Sequence, residues 1–193
     1  MTSLLIATPL YNGTTSYLYT LGALETQRLL KVEVEHVFIT GCYIAMNRER
    51  LTRFFIEKEH CTHLLFIDSD IGFTANDVFN LLHADLDMIS GIYTRRQTKK
   101  DVPIEPMSGN SIVLNSGVIE CVAVPSGFLL LKRHVLEKMY DEYSPPYHNG
   151  LWEHGLDIGE DLAFCRRWRA VGGKIHAHTG VIVKHIGEHV FEP

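Results

Sequence analysis

The stretch Leu64-Leu65-Phe66-Ile67-Asp68-Ser69-Asp70 decides the fold prediction. Four apolar residues in a row are typical of a strand that is buried on both faces of a sheet. This strand ends directly at two aspartates, and ligands of open α/β sheets bind outside the carboxyl ends of the strands. Because Mg²⁺ and Mn²⁺ prefer oxygen ligands, Asp68 and Asp70 are candidate metal ligands. The alternative is an acidic turn before the following helix.

Apolar runs and amphipathic segments alternate around this stretch. In the first half they predict strands at 4–7, within 32–40, at 64–67 and at 88–93. They predict a helix that is capped by Thr14, Thr15 or Ser16 and runs to about Lys31, a second helix at 44–59 and a third from Thr74 onward. This order predicts an α/β protein whose mostly parallel, twisted sheet is flanked by helices.

The second half predicts a small antiparallel part. Its pattern indicates a polar, mobile loop at 94–109, a hairpin over 111–124, a strand at 128–131, a helix at 134–143, a loop at 144–156, a helix at 160–171 and an extended segment at 174–184. No linker rich in Gly, Ser or Pro divides the chain, so we expect a single domain over 1–193.

Composition and charge exclude several classes of protein. The chain has 193 residues, 46% of them hydrophobic, and a net charge of −5. A generic nucleic-acid binder is usually basic, so we expect no nucleic-acid partner. The apolar runs are too short to span a membrane, and the first residues lack the basic region of a signal peptide. We therefore expect a cytoplasmic protein.

The four cysteines are far apart in the sequence. None of them forms a C-x-x-C pair, so the spacing favours neither a zinc ribbon nor a thioredoxin-like motif. Each cysteine lies beside apolar residues, which predicts buried free thiols. The four residues are Cys42, Cys61, Cys121 and Cys165.

Two further motifs can carry chemistry. Glu160 and Asp161 lie at a predicted helix start, where they are either simple helix-capping acids or a general base at the mouth of the sheet. His185 follows an apolar run and is a candidate third metal ligand. The string H-x-x-E-H at 185–189 matches a zinc-peptidase pattern, but Gly187 interrupts the helix that this motif needs.

Four segments in order, followed by a histidine, resemble the GT-A-fold glycosyltransferases of the family-2-like kind found in bacteria, phages and large viruses. The segments are IATPLY at 6–11, LFIDSD at 65–70, VPSGFLL at 124–130 and GEDLAFC at 159–165. The histidine is His185, with Gly187 two residues after it. The resemblance covers nearly the whole chain. It implies a GT-A (nucleotide-diphospho-sugar transferase) fold, with a nucleotide-binding half at 1–93 and a donor-sugar and acceptor half at 94–193.

The resemblance also assigns roles to residues. It implies nucleotide binding by Thr8, Pro9, Tyr11, Asp68 and Ser69, and metal binding by Asp68, Asp70 and His185. It implies that Tyr93, Ser126 and Gly127 border the donor sugar or acceptor, and that Asp161, with Glu160 before it, is the catalytic base. Family members often carry Arg-Asn before the second helix, whereas this chain has Asn47-Arg48, so we assign nucleotide binding to these two by position. Trp152 and Tyr147 can stack on a sugar or fasten their loop to the core.

Together these features predict a metal-dependent glycosyltransferase. We expect it to move a sugar from a nucleoside diphosphate donor, with UDP favoured, to a hydroxyl of a glycan or glycoprotein, using Mn²⁺ or Mg²⁺. Inverting and retaining chemistry both stay open. The alternatives are a non-catalytic nucleotide-sugar or glycan binding module, and a sugar-phosphate nucleotidyltransferase. A viral or phage origin, and a place within a longer multidomain protein, are further expectations from the resemblance.

Overall fold

The structure is a computed structural model that describes residues 2–95, 101–107, 112–144, 146–147, 151–153 and 156–187. The strands are β1 (Ser3–Leu10), β2 (Glu33–Thr40), β3 (His63–Ile67), β4 (Ile71–Gly72), β5 (Met88–Ile92), β6 (Glu105–Pro106), β7 (Val118–Ala123), β8 (Phe128–Lys132), β9 (Leu151–Glu153), β10 (Leu156–Ile158), β11 (Ile175–Ile182) and β12 (Lys184–His185). The helices are α1 (Tyr17–Leu29), α2 (Ile44–Glu57), α3 (Ala75–His83), α4 (Arg133–Tyr143) and α5 (Glu160–Ala170).

A central sheet carries the molecule. Its strand order is β2-β1-β3-β8-β5-β11-β7-β6. The strands β2, β1, β3, β5, β11 and β6 run in one direction, and β8 and β7 run against them. The prediction of a mostly parallel sheet with an antiparallel part in the second half is therefore confirmed.

Side-chain alternation along the strands builds a core on each face of the sheet. In β3, Leu64 and Phe66 join the core covered by α2, α4 and α5, whereas Leu65 and Ile67 join the core covered by α1 and α3. Because successive side chains of a strand point to opposite faces, a strand between two helical layers is apolar at every position. This is why the run at 64–67 predicted a buried strand correctly.

Two of the helices in the described part of the chain, α1 and α3, begin at side-chain caps that the sequence predicted. The Ser16 hydroxyl accepts a hydrogen bond from the Tyr19 amide and caps α1. Thr74 and Asp77 form a reciprocal capping box at the start of α3. Such caps satisfy backbone N–H groups that have no partner within the helix.

Three predicted segments differ from the structure. Residues 112–114 form no strand, because both edges of β7 are occupied by β11 and β6; Asn115 turns there and donates its backbone N–H to Thr179. The segment 94–109 contains the short strand β6, although 96–100 and 108–109 lie outside the described residues. The loop at 144–156 contains β9, which pairs with β10.

Two expectations about the surface can be compared with the structure. Cys61, Cys121 and Cys165 are buried as predicted, whereas Cys42 is exposed. Cys42 lies in the turn between β2 and α2, where its apolar neighbour Tyr43 is exposed as well. None of the helices in the described part of the chain is both long and apolar enough to cross a membrane.

Candidate active site

The Asp68-Ser69-Asp70 segment forms the turn between β3 and β4. The Asp68 amide donates a hydrogen bond of 2.9 Å to the Gly127 carbonyl, which joins the end of β3 to the residue before β8. The Ile71 amide donates to the Asp68 carbonyl at 3.0 Å and closes the turn. Both aspartates therefore lie at the carboxyl end of a central strand, as the sequence predicted.

Arg48 connects this turn to the start of α5. One guanidinium nitrogen, Nη2, lies 2.8 Å from Asp68 Oδ1, and Nε lies 3.6 Å from Glu160 Oε1. The third nitrogen, Nη1, donates to the Ser126 carbonyl at 3.2 Å. The Arg48 side chain is only 4% exposed, against 29% for Asp68 and 20% for Glu160. Arg48 is therefore a buried cation that holds two partly buried carboxylates.

The charges around Arg48 act on each other. Burial alone would lower the pKa of Arg48, but Asp68, and more weakly Glu160, hold it above its usual value. The pKa of Glu160 is raised, chiefly by burial and further by the neighbouring Asp161, although Arg48 opposes the shift. The Arg48 cation therefore partly offsets the cost of burying the charged Glu160 carboxylate.

Asp70 and His185 face each other across the short β4–β12 pair. His185 Nε2 lies 3.6 Å from Asp70 Oδ2, and the Ile186 amide donates to the Asp70 carbonyl at 2.8 Å. His185 Nδ1 donates to the Thr94 carbonyl at 2.9 Å, because a carbonyl can only accept. In the neutral imidazole, Nε2 then carries the lone pair and faces the carboxylate.

This arrangement fits a hard divalent cation. Ligand atoms bonded to one such ion at about 2.1 Å lie about 3–4 Å apart, and the nitrogen and oxygen of this pair fall within that range. Proteins commonly orient a metal-binding histidine by a hydrogen bond from the ring nitrogen that does not bind the metal. The bond from His185 Nδ1 to the Thr94 carbonyl is of this kind. Asp68 points to Arg48 with one oxygen, so its part in metal binding stays a prediction.

Tyr93 and Gly127 border the same turn. The Gly127 amide donates to the Tyr93 hydroxyl at 3.1 Å. A side chain at Gly127 would place its Cβ 2.4 Å from that hydroxyl and 2.8 Å from Asp68 Oδ2. Any other residue here would force the Tyr93 hydroxyl or the Asp68 carboxylate to move, because real Cβ atoms do not make contacts this short. Burial, together with the charge of Asp68, raises the pKa of Tyr93 far above its usual value.

Asp161 lies at the first turn of α5, beside a small cleft. Its Oδ1 accepts a hydrogen bond of 2.7 Å from the Leu162 amide. The cleft, about 210 Å³ in volume, is also lined by Arg95, Ile104, Glu105 and Val124. The carboxylate is therefore reachable from a polar concavity, which a general base requires.

The predicted nucleotide-binding residues differ in what their side chains can reach. Tyr11 is 76% exposed and is free to stack on a base. Thr8 and Pro9 are buried in β1, and the Thr8 hydroxyl shares a 2.6 Å hydrogen bond with Tyr19. Asn47 is buried too and donates its side-chain amide to the Gly41 carbonyl at 2.8 Å. The nucleotide-binding roles of these buried residues stay predictions.

Ser69, Tyr147 and Trp152, the other site residues predicted from the sequence, lie in different surroundings. The Ser69 carbonyl accepts a hydrogen bond from the Ser16 amide at 2.8 Å, so the turn is fastened to the start of α1. Tyr147 is buried and stacks on Phe164, with 4.2 Å between the ring centroids, which excludes the sugar-stacking alternative and supports the packing alternative. Trp152 lies in β9, and its side chain is outside the described residues.

Sequence reasoning missed the Thr94 carbonyl and the bridging position of Arg48. The signal for Thr94 was its place directly after the predicted strand at 88–93. Nothing in the sequence around Arg48 indicated Glu160 as a partner, because the two lie far apart along the chain.

A larger apolar groove of about 670 Å³ lies elsewhere, between α1 and α3. Leu29, Val32 and Phe79 are among the residues that line it. None of the predicted site residues within the described ranges contributes to it, so we place the candidate site at the carboxyl ends of the strands and not in this groove.

No model of a known protein family and no curated protein sequence matches the chain. Solved structures do match it. A197 from STIV aligns with a TM-score of 0.66 and 19% identity over 96% of this chain and 86% of its own. TarS 1–349 of S. aureus, solved in complex with UDP-GlcNAc, aligns with a TM-score of 0.55 and 12% identity over 98% of this chain and 60% of its own. GalNAc-T7, solved with UDP, GalNAc and Mn²⁺, aligns with a TM-score of 0.54 and 12% identity over 97% of this chain and 44% of its own.

These alignments establish the fold. Each covers nearly all of this chain, whereas this chain spans only 60% of TarS 1–349 and 44% of the GalNAc-T7 chain. The matched structures include GT-A glycosyltransferases. The chain therefore has the mixed α/β GT-A fold that its motifs predicted.

Proposed function

We propose that this protein is a small glycosyltransferase of the family-2-like kind, which transfers a sugar from a nucleoside diphosphate to a hydroxyl acceptor. One observation carries the proposal: the turn with Asp68 and Asp70, the histidine His185 and the first turn of α5 converge at the carboxyl end of the sheet. In open α/β folds this is where ligands bind. The neighbours solved with UDP-GlcNAc and with UDP support UDP as the first donor to test.

We assign the metal to Asp70 and His185, with Asp68 beside them. The hydrogen bond from His185 Nδ1 to Thr94 supports this assignment, since it turns Nε2 toward Asp70. When bound, Mn²⁺ or Mg²⁺ supplies Lewis-acid stabilisation of the leaving diphosphate, worth about several kcal/mol.

The protein side chains divide the remaining work. Tyr11, exposed beyond the end of β1, stacks on the base. Asp161 accepts the proton of the acceptor hydroxyl as that oxygen attacks the sugar carbon and the diphosphate leaves; general bases of this kind contribute roughly 10²–10⁴-fold in rate. Arg48 holds Asp68 and Glu160 in place. We propose that the acceptor is a glycan or glycoprotein.

Calorimetric binding of UDP, GDP, CDP and ADP tests the nucleotide and metal assignments. We expect one diphosphate to bind in Mn²⁺, to lose affinity in EDTA, and to lose at least about tenfold in Asp70→Asn. The matched control is Asp77→Asn, which changes a carboxylate of the α3 capping box away from the site. If each diphosphate binds with the same affinity in Mn²⁺ and in EDTA, the metal site is contradicted.

The Asp161→Asn variant separates an enzyme from a binding module. For a transferase, we expect hydrolysis or transfer of the bound UDP-sugar to fall by roughly 10²-fold or more while diphosphate binding stays at the wild-type level. An unchanged rate in this variant would remove Asp161 as the base. Absence of any turnover in the wild type with all donors and acceptors tried, with binding intact, would favour the binding module.

A further inference from the structure

A second group of metal-ligating side chains lies at the opposite end of the sheet. Glu35 belongs to the amino half of β2, and His60 and Cys61 belong to the turn between α2 and β3. The candidate active site follows the carboxyl end of β3. The five residues of β3 span about 17 Å at about 3.3 Å per residue, so the two places are separate.

The three ligand atoms are close to one another. His60 Nε2 lies 2.5 Å from Glu35 Oε1, Cys61 Sγ lies 3.5 Å from His60 Nε2, and Cys61 Sγ lies 4.0 Å from Glu35 Oε1. Since a carboxylate only accepts, His60 donates its Nε2 proton to Glu35. A proton thus sits between two atoms that can both bind a metal.

A tetrahedral Zn²⁺ site matches one of these three spacings and requires a small movement of the carboxylate for the other two. With bonds of about 2.3 Å to sulfur and about 2.0–2.2 Å to nitrogen and oxygen, tetrahedral angles give about 3.5 Å between sulfur and nitrogen. The same bonds give about 3.6 Å between sulfur and oxygen and about 3.4 Å between nitrogen and oxygen. The first spacing is present already, and the carboxylate must move by about 1 Å away from His60 for the others.

The surroundings support a metal at this position. Arg133 donates to the carbonyls of Phe55, Lys58 and Cys61, which fixes the turn that carries two of the ligands. Lys58 Nζ lies 3.1 Å from Glu35 Oε2, the other carboxylate oxygen. Glu35 can therefore bind a metal through Oε1 while Oε2 keeps its contact with Lys58.

The charges of the three ligands and their exposure to solvent also fit a bound metal ion. When Zn²⁺ binds, Cys61 releases its thiol proton to solvent, and the thiolate and the Glu35 carboxylate together balance the dication. His60 binds as the neutral imidazole, with its proton on Nδ1 and its Nε2 lone pair on the metal. The side chains of His60 and Glu35 are 48% and 30% exposed, so an ion can enter from solvent, and water can fill the fourth position. A Cys, His and carboxylate set is typical of Zn²⁺, since hard cations prefer oxygen ligands alone.

We propose that Glu35, His60 and Cys61 form a Zn²⁺ site that ties β2 to the turn between α2 and β3. The site is independent of the proposed sugar transfer. Its role is to fasten the edge strand β2 of the central sheet to the turn before β3, at the end away from the candidate active site.

Cobalt and zinc titrations of the whole chain test the site. We expect Co²⁺ to give an intense thiolate-to-metal charge-transfer band, and we expect Zn²⁺ to abolish that band and to raise the thermal unfolding midpoint. In Cys61→Ser the band disappears, and in His60→Gln the Zn²⁺ affinity, measured against a chromophoric chelator, falls by at least about tenfold.

Two controls make the result specific. Cys42→Ser removes an exposed thiol elsewhere and should leave the band unchanged. Asp70→Asn alters the candidate active site and should also keep it. Because Cys61 is buried and Cys61→Ser can disturb folding, the exposed His60→Gln variant is the deciding one. A wild-type chain without the band, or wild-type Zn²⁺ affinity in His60→Gln, overturns the proposal.

Discussion

Arg48 shows how one buried guanidinium holds carboxylates from two distant parts of the chain. It contacts Asp68 after β3 and Glu160 at the start of α5, and it lies 5.3 Å from the Phe66 ring centre. Removing one partner of a buried ionic group leaves the others uncompensated, which costs more than the pair itself contributes. Arg48 is therefore the residue on which the geometry of the candidate site depends.

We expect Arg48→Met to lower the free energy of unfolding by about 3 kcal/mol, because two partly buried carboxylates lose their cation. Urea denaturation measures the change. The matched control is Arg53→Met on the same helix, whose side chain is 61% exposed beside Glu49 and whose loss should lower the free energy of unfolding much less than Arg48→Met does. Equal losses in both variants would show that the Arg48 contacts contribute little.

Tyr19 gives a pH dependence with a definite sign. Burial raises its pKa from 10.0 to about 12, although its hydrogen bond with Thr8 opposes the shift. A raised pKa in the folded state contributes stability that is complete below pH 10.0 and is lost as the pH rises to about 12.

The difference in unfolding free energy between wild type and Tyr19→Phe should therefore fall, between pH 10.0 and about 12, by roughly 1.4 kcal/mol per pH unit. Denaturant titrations at several alkaline pH values measure this difference. Subtracting the variant removes the contributions of all other titrating groups. A difference that stays constant with pH would contradict the burial of the phenol.

Among the elements, the β4–β12 pair has the most direct link to the proposed chemistry. Its two strands have only two residues each, Ile71–Gly72 and Lys184–His185. Beyond this ladder, the Ile186 amide donates to the Asp70 carbonyl. A short pair outside the main sheet contributes little to global stability, yet it sets the distance between Asp70 and His185.

We expect Ile186→Pro to weaken Mn²⁺-dependent diphosphate binding by about tenfold, because proline removes the N–H that Asp70 accepts. The midpoint of thermal unfolding should change little. Ile186→Ala keeps the N–H and is the matched control, with binding near the wild-type level. Calorimetry measures the binding of both variants, and equal affinities in the two would show that the hydrogen bond has no role in positioning Asp70.

On the scale of the whole molecule, two helical layers enclose one sheet. The strands β1, β3 and β8 supply alternate side chains to both cores. The single-domain organisation of 1–193 stays a prediction. The two proposed metal sites lie at opposite ends of this sheet. Sites this far apart without shared partners act additively within about 0.5 kcal/mol.

We therefore expect the two ions to act independently. The Zn²⁺-dependent rise in the unfolding midpoint should be the same in wild type and Asp70→Asn. The Mn²⁺-dependent binding of the diphosphate should be the same in wild type and His60→Gln. Thermal unfolding and calorimetry on both variants measure the two effects, and a change in either cross-comparison would reveal coupling through the sheet.

The sequence alone determined the features that depend on neighbouring residues. The run at 64–67 predicted a strand buried on both faces, and Thr74 with Asp77 predicted a helix start, because alternation and capping act over a few residues. The four motifs at 6–11, 65–70, 124–130 and 159–165, taken in order and followed by His185, predicted the GT-A fold.

The tertiary structure alone decided the features that join distant parts of the chain. Arg48 with Glu160 and Glu35 with Cys61 are contacts between different elements, and no local pattern encodes them. The resemblance implied that Asp70 and His185 share a metal, but only the tertiary structure gave the 3.6 Å between their side chains. The predicted hairpin over 111–124 was wrong for the same reason, since β7 pairs with β11 and β6 instead. Thr8, Asn47 and Tyr147 are buried because the layers of the fold pack over them. No local pattern in the sequence predicts that burial.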